Sequence, residues 1–432
     1  MIVLHTGKIR QGLAVTNLER IEEAGRKQFE GYVAQRLHER KVSLSETITR
    51  NKLSIFNSAK VQTKQQKRLT SLKNDFALFS RLFIACQNRD GNIEQFFRHE
   101  NQSSPPSLSQ NNELRSGNKA ELLKQLESMD DSIFSCESPE TEVTVLDGAA
   151  LINGLKPESN TTFEDYASKS VLPRLRKLSA NALRIDVVFN VYLERSLKNS
   201  ARVHRGQGSR RRVKSNLQVP TDWKSFLRHS DNKTELFSYL AQFIHANLRP
   251  ERKIVIVTTG ENALCWPPRD TSLINPCNHE EADTRIFVHV KDAQQGQRMN
   301  RAIIHTVDTD VVVLGVAAVV RLKDLQLTIA FGSRQYFRYI NVNKIAVLLG
   351  EEKALALPMF HAFTGCDTVS FFAGKGKRSA MKTWEITPTV TQSFLSVERN
   401  HSVLTDEDMA IIEQFVVCLY HPTSEASSVN AV

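Results

Sequence analysis

The chain reads as an α/β protein with a central, mostly parallel sheet, preceded by a helical N-terminal region. Short runs rich in Val and Ile point to the sheet: VTVLD (143–147), LRIDVVF (183–189), KIVIVTT (253–259), AIIHTV (302–307) and LQLTIAF (325–331). Amphipathic stretches such as 164–177, 233–247 and 281–293 separate them. Strands that follow one another through helices need crossover connections, and such sheets are covered on both faces. Before residue 100 the pattern differs. Apolar residues recur there at three- and four-residue spacing, as in Leu69, Leu72, Phe76, Phe79 and Phe83, which is the period of an amphipathic helix.

Punctuation along the chain divides it. NQSSPPSLSQNN (101–112) lacks an apolar period and reads as a linker, and the acidic DDSIFSCESPETE (130–142) is a second break. The expected organisation is a helical region over 1–130, an α/β domain over 143–385, and a C-terminal helix and tail over 386–432. In that last segment Met409, Ile412, Phe415, Val416 and Leu419 make an apolar face that should dock on the core, a partner being the alternative.

Composition excludes several classes. With 432 residues, 41% of them hydrophobic, and only 18 Gly and 13 Pro, the chain is neither a miniature scaffold nor a low-complexity polymer. Its longest apolar run, Val311 to Val320, is half of what a bilayer span needs, so no membrane partner is expected. The start, MIVLHTGKIRQ, is too polar for a secretory leader, and an intracellular location is expected. Six scattered cysteines without a C-x-x-C pair favour reduced thiols over a disulfide framework. A formal charge of +10 favours polyanionic partners.

In parallel α/β sheets, ligands gather outside the carboxyl ends of the strands. Acidic residues cluster at those places. VTVLD ends in Asp147, AIIHTVDTD ends in Asp308 and Asp310, HEEADTRI supplies Glu280, Glu281 and Asp283 at a helix start, and HAFTGCDT supplies Asp367 in a turn. If the strand persists through 308–310, both of its acids face one side. Converging carboxylates repel one another unless a cation neutralises them, and oxygen-only clusters suit Mg²⁺ or Mn²⁺. Two such ions about 4 Å apart can activate a water and stabilise the leaving oxygen of a phosphodiester. Each acid also has a plainer reading: Asn278 and Glu281 as a capping box, Asp147, Asp308 and Asp310 as strand-end caps, and Asp283 with Arg285 as surface charge.

The ordered series VLDGAALIN, HEEADTRI, HTVDTDVVVL and FTGCDTVSFFAGKGKRSAMK resembles the catalytic core of the flap endonuclease group of PIN-like nucleases, over about 143–385. It is also similar to a set of uncharacterised invertebrate proteins that carry HEEADTR, DTDV and FTGCD blocks. The nuclease resemblance implies a PIN-like three-layer fold and a divalent-metal-dependent, structure-guided nuclease acting on nucleic acid, DNA ahead of RNA. It implies Asp147, Glu281, Asp283, Asp308, Asp310 and Asp367 as catalytic and metal-binding acids, with two Mg²⁺ or Mn²⁺ ions if active. At the second strand, where the family has an Asp, this chain has Asn190. An amide brings a carbonyl oxygen but neither charge nor proton acceptor, so the alternative is a weakened or inactive nucleic-acid-binding relative.

Two basic segments fit the same resemblance. From Arg195 to Lys214 there are eight Lys or Arg and no acid, including Lys198, Arg202, Arg205, Arg210, Arg211, Arg212 and Lys214. That run resembles the family's basic arch and would grip phosphates in a salt-sensitive way, the alternatives being a solvated loop or, in RRRVK, a nuclear localisation signal. FAGKGKRSAMK sets Gly374, Lys375, Gly376, Lys377 and Arg378 in a turn before a helix, which resembles the helix-hairpin-helix segment (365–385) that holds duplex DNA. Cys265, Cys277 and His279 lack a recognisable fourth zinc ligand, and His361 reads as locally packed or substrate-facing. A third functional class, an interaction protein working through its helical N-terminal region, stays open beside the two nuclease-derived readings.

Overall fold

In the computed structural model, described residues are 13–44, 46, 48, scattered positions between 73 and 87, 108–110, 113–115, 117–193, 196, 209–367, 369–399, 404–424 and 426–431. The chain divides into two units, Met1–Gln95 and Phe96–Val432. The first contains helices Leu13–Glu19 and Ile21–Tyr32, and Phe79 stacks on Phe83 in a further helical stretch. Leu69 and Leu72 lie outside the described residues.

The second unit is built on eight strands: β1 (Phe134–Ser135), β2 (Val143–Asp147), β3 (Arg184–Val188), β4 (Ile254–Thr259), β5 (Asn262–Trp266), β6 (Arg301–Thr306), β7 (Gln326–Phe331) and β8 (Arg338–Asn341). Their order in the sheet is β1-β8-β7-β6-β2-β3-β4-β5. The five central strands, β7 to β4, run parallel, and antiparallel neighbours complete both edges. This is the expected α/β class. Every residue of β2 and of β3 is buried, as a parallel strand covered on both faces requires.

Helices form the outer layers: α1 (Ala120–Glu127), α2 (Gly148–Gly154), α3 (Ser230–Asn247), α4 (Ala282–Gln297), α5 (Thr309–Arg321), α6 (Glu351–Phe363) and α7 (Lys377–Ile386), among others. Two cores result. Leu146, Ile185 and Val187 pack with Phe163, Tyr166, Trp223 and the apolar side of α3. Val143, Val145, Ile304 and Ile329 pack with α4, α5 and α6. Alternate residues of one strand enter opposite cores because side chains alternate across a sheet.

The second core also takes in both ends of this unit. Leu122, Leu123 and Leu126 of α1 lie in it, so residues grouped on sequence with the N-terminal region are part of the α/β unit. From the C-terminal side, Phe394, Ile412, Phe415 and Leu419 join it, while Met409 is exposed. Phe360 stacks on Trp384 at 4.4 Å and meets Phe394 edge-on, which ties α6, α7 and the helix Val390–Arg399 together.

The register decides where the site lies. Val143 pairs with both Arg184 and Ala302, and Leu146 with both Val187 and His305. The carboxyl ends of β6, β2 and β3 therefore finish side by side.

Candidate metal centre

Asp147 closes β2 and caps α2, its Oδ1 accepting the Ala150 amide at 2.9 Å. Its Oδ2 accepts a hydrogen bond from the Thr306 hydroxyl at 3.3 Å, across the β2–β6 pair. The hydroxyl oxygen of Thr306 in turn accepts the Asp308 amide at 3.1 Å. One buried hydroxyl thus links two strand ends. Burial pushes the Asp147 carboxyl above its usual range, with the Asp308 charge adding to it and hydrogen bonds from Ala150 and Thr306 opposing it.

Here the strand does not persist. It stops at Thr306, and Asp308 is the N-cap of α5, accepting the Asp310 amide on Oδ1 at 3.0 Å. The shared direction expected from strand geometry is replaced by a helix entry, because an Asp at an N-cap satisfies a helix's free amides. Asp308 and Asp310 still meet. One oxygen from each of Asp283, Asp308 and Asp310 lies within 4.8 Å of the other two.

Asp283 arrives in the first turn of α4. Burial, followed by the charges of Asp308, Asp147, Glu281 and Asp310, pushes its pKa up to about 8. Glu281 itself occupies the N-cap position with an extended backbone and makes no side-chain cap, so the capping-box reading with Asn278 does not hold. Neither does the surface-charge reading of Asp283 and Arg285. Arg285 is buried and donates to the carbonyls of Gly260, Glu261 and Asn262, which fixes α4 to the β4–β5 hairpin.

Asp310 is held from a second side by His361 of α6, whose Nε2 lies 3.0 Å from its Oδ1. A carboxylate only accepts, so that nitrogen carries the proton. Burial would raise Asp310, but the bond from His361 and the charge of Lys119 outweigh it, and its pKa is lowered. Asp367 sits in the turn between α6 and α7 with φ of 34°. It comes to the same place, since Lys119 Nζ lies 2.8 Å from Asp308, 3.1 Å from Asp310 and 3.0 Å from Asp367.

All six sequence-selected acids are therefore linked: Asp283 feels Asp147, Glu281, Asp308 and Asp310, and Asp367 shares Lys119 with the last two. Two residues of this site escaped the sequence reading. Thr306 lies inside a predicted strand and shows nothing in its spacing. Lys119 occupies the N-cap of α1, where a cation opposes the helix dipole and offers no acceptor to the first amides. That local mismatch was the available signal.

Asn190 follows β3, and its buried Oδ1 has no hydrogen-bond partner among the described residues. Beside it, the Val191 amide donates to the Glu280 carbonyl at 2.8 Å and Ser196 donates to the Glu280 carboxylate at 2.8 Å.

The basic residues differ in what they meet. Lys198, Arg202 and Arg205 lie outside the described residues. Arg210 and Arg212, both exposed, share Glu235 of α3 at 2.9 and 2.8 Å. Arg211, Lys214 and Arg378 are exposed. Lys375 lies over the Tyr420 ring at 5.4 Å, between Gly374, whose φ is 68°, and Gly376.

Lys377 corrects the sequence reading. It is 1% exposed and donates to the His361 carbonyl at 2.5 Å and to Thr364 at 2.8 Å, so it closes the α6–α7 turn from inside and does not reach solvent phosphate. Burial lowers its pKa to about 7. Among the described residues, Cys265, Cys277 and His279 form no metal-holding group, and the six cysteines are unpaired thiols.

No protein-family model matches the chain, and no curated protein matches it. Two solved structures are similar to it, both described as the catalytic core of Rad2 in complex with DNA substrate. Identity is 12% in each case, with 67% and 70% of this chain and 84% of the other covered, and the TM-scores are 0.35 and 0.32. A likeness of that extent does not bear on function, which rests on the site's own chemistry.

Proposed function

We propose that this chain is a divalent-metal-dependent phosphodiester hydrolase acting on nucleic acid, DNA ahead of RNA. The carrying observation is the gathering of acids from four separate segments of the chain beside the carboxyl ends of adjacent strands. The donor set fits a hard cation. It offers carboxylate oxygens only, one from each of Asp283, Asp308 and Asp310 within 4.8 Å of the other two.

Asp283, Asp308 and Asp310 would hold the ion, with Asp147 beside them and Glu281 and Asp367 adding charge. When bound, a divalent ion supplies positive charge to a phosphodiester oxygen and acidity to a water. The protein's own residues do the rest. Thr306 orients Asp147 and the turn into Asp308, and His361 orients Asp310. Asp283, raised by burial and like charges, would give up its proton to the ion that it holds. Arg211, Lys214, Lys375 and Arg378 would meet the phosphate backbone without reading sequence.

A second reading, a nucleic-acid-binding protein of weakened or lost turnover, is favoured by Asn190, a buried amide at the position where the resembled family has a carboxylate. The test compares cleavage of branched and single-stranded oligonucleotides with Mg²⁺ or Mn²⁺ by the natural chain, Asp308→Ala and Asn190→Asp. Loss of cleavage in Asp308→Ala supports the hydrolase, and equal activity in both removes the assigned site. Cleavage that emerges only in Asn190→Asp selects the second reading.

A further inference from the structure

Lys119 is the unexpected member of the acidic centre. It comes from the segment before the first long strand, and an ordered set of contacts carries it there. The Arg115 carbonyl accepts the Phe371 amide at 3.2 Å, which joins this segment to the turn that holds Asp367. Gly117 passes so close to the Phe371 ring that a Cβ would sit 2.2 Å from it. Two residues later the chain enters α1, whose Leu122, Leu123 and Leu126 are anchored in the core. Lys119 is thus held from both sides of the chain, and its side chain is only a quarter exposed.

Its geometry is that of a saturated cation. An ammonium has three protons, and three carboxylates stand at 2.8, 3.1 and 3.0 Å, one for each. Those are hydrogen-bond lengths, about 0.7 Å or more longer than metal–oxygen bonds to Mg²⁺. The Asp308–Asp310–Asp367 side of the centre is arranged around nitrogen. On the other side, Asp283 feels Asp308, Asp147, Glu281 and Asp310 as like charges.

We propose that Lys119 is a tethered cation standing where a second divalent ion would sit among Asp308, Asp310 and Asp367, so that the centre takes up one divalent ion, on the Asp283 side. This rests on the reading of the acids as a metal centre and departs from the two ions expected from sequence. It also couples the segment before β2 to metal occupancy, because anything that lifts Gly117 and α1 away withdraws a positive charge from three acids.

The experiment counts Mn²⁺ ions bound per full-length chain by calorimetric titration and by the loss of the free Mn²⁺ spin-resonance signal. The natural chain, Lys119→Met and Lys119→Gln are compared after chelation, and the metal-free melting temperature is recorded. The expected result is one Mn²⁺ in the natural chain and two in the variants, or one bound about tenfold more tightly once the competing charge is gone. The variants should also melt lower without metal and recover with Mn²⁺.

Two ions in the natural chain, or the same number and affinity in all three, overturn the proposal while leaving the metal centre in place. No ion in any of them overturns the metal centre and the tethered cation with it. Two ions on the natural chain overturn the proposal whether or not a variant folds, and a count of one is read against whichever of Lys119→Met and Lys119→Gln keeps the natural fold.

Discussion

Asp283 shows how one side chain links stability, pH and metal. An Asp in an unfolded chain titrates near pH 4, whereas burial and neighbouring acids hold the folded Asp283 at about 8. Between those values the folded state keeps a proton that the unfolded state has lost, so this group's contribution to stability declines as pH rises through the window. Asp147 is shifted the same way. In chelator, the melting temperature should therefore fall from about pH 5 to pH 8, with a shallower fall in Asp283→Asn. Added Mn²⁺ should flatten the natural profile, since a bound cation favours the carboxylate. An unchanged slope in Asp283→Asn would show that the charge is not confined as the geometry implies. Thr306→Val keeps the volume but removes the hydroxyl shared by Asp147 and the Asp308 amide, at a cost of about 1–3 kcal/mol in urea unfolding.

At the scale of elements, the decisive piece is α4, which brings Asp283 to the strand ends. Its middle is pinned by a network of charges, of which Arg184, Asp186, His289 and Asp292 are buried. Arg184 forms a fork with Asp186 at 2.8 and 2.6 Å and reaches Asp292 of α4 at 2.6 Å, His289 of α4 meets Asp186 at 2.7 Å, and Arg269 closes on Asp292 at 2.7 Å. Burial alone would raise Asp186, but Arg184 outweighs it and holds the carboxyl at about 2. Removing one member leaves an uncompensated buried charge, so Arg184→Met should destabilise by about 3–5 kcal/mol in denaturant titration. A cost within the error of the titration would mean that water reaches the network. The same logic applies to α1 through packing: Leu122→Ala should cost about 2–5 kcal/mol, because the side chain is fully buried.

Across the whole molecule, a net charge of +10 coexists with a strongly acidic centre. Long-range attraction to a polyanion and local repulsion at the acids then act together, and a divalent ion removes the repulsion. Nucleic-acid affinity should fall steeply with salt, largely without regard to sequence, and should rise when Mg²⁺ replaces chelator. Replacing Arg211, Lys214 and Arg378 with Ala should make the plot of log affinity against log salt shallower by roughly 2–3. A slope unaffected by all three would place the contact surface elsewhere on the chain.

Several parts of this protein were legible in its residues before any coordinates. The strands rich in Val and Ile declared themselves because a covered parallel sheet admits little else, and they lie within about a residue of the expected limits. The acids were found because polar residues at the carboxyl ends of such strands stand out against apolar neighbours. Their convergence needed the β6-β2-β3 order, which no local pattern encodes. Tertiary structure alone decided that Lys377 faces inward, that Arg210 and Arg212 are engaged by Glu235, and that Lys119 reaches three carboxylates from well outside the predicted domain. The physical reason is that a residue's type and period fix its preference for water or core, whereas the partner of a charge depends on which distant segment the packing brings within about 3 Å.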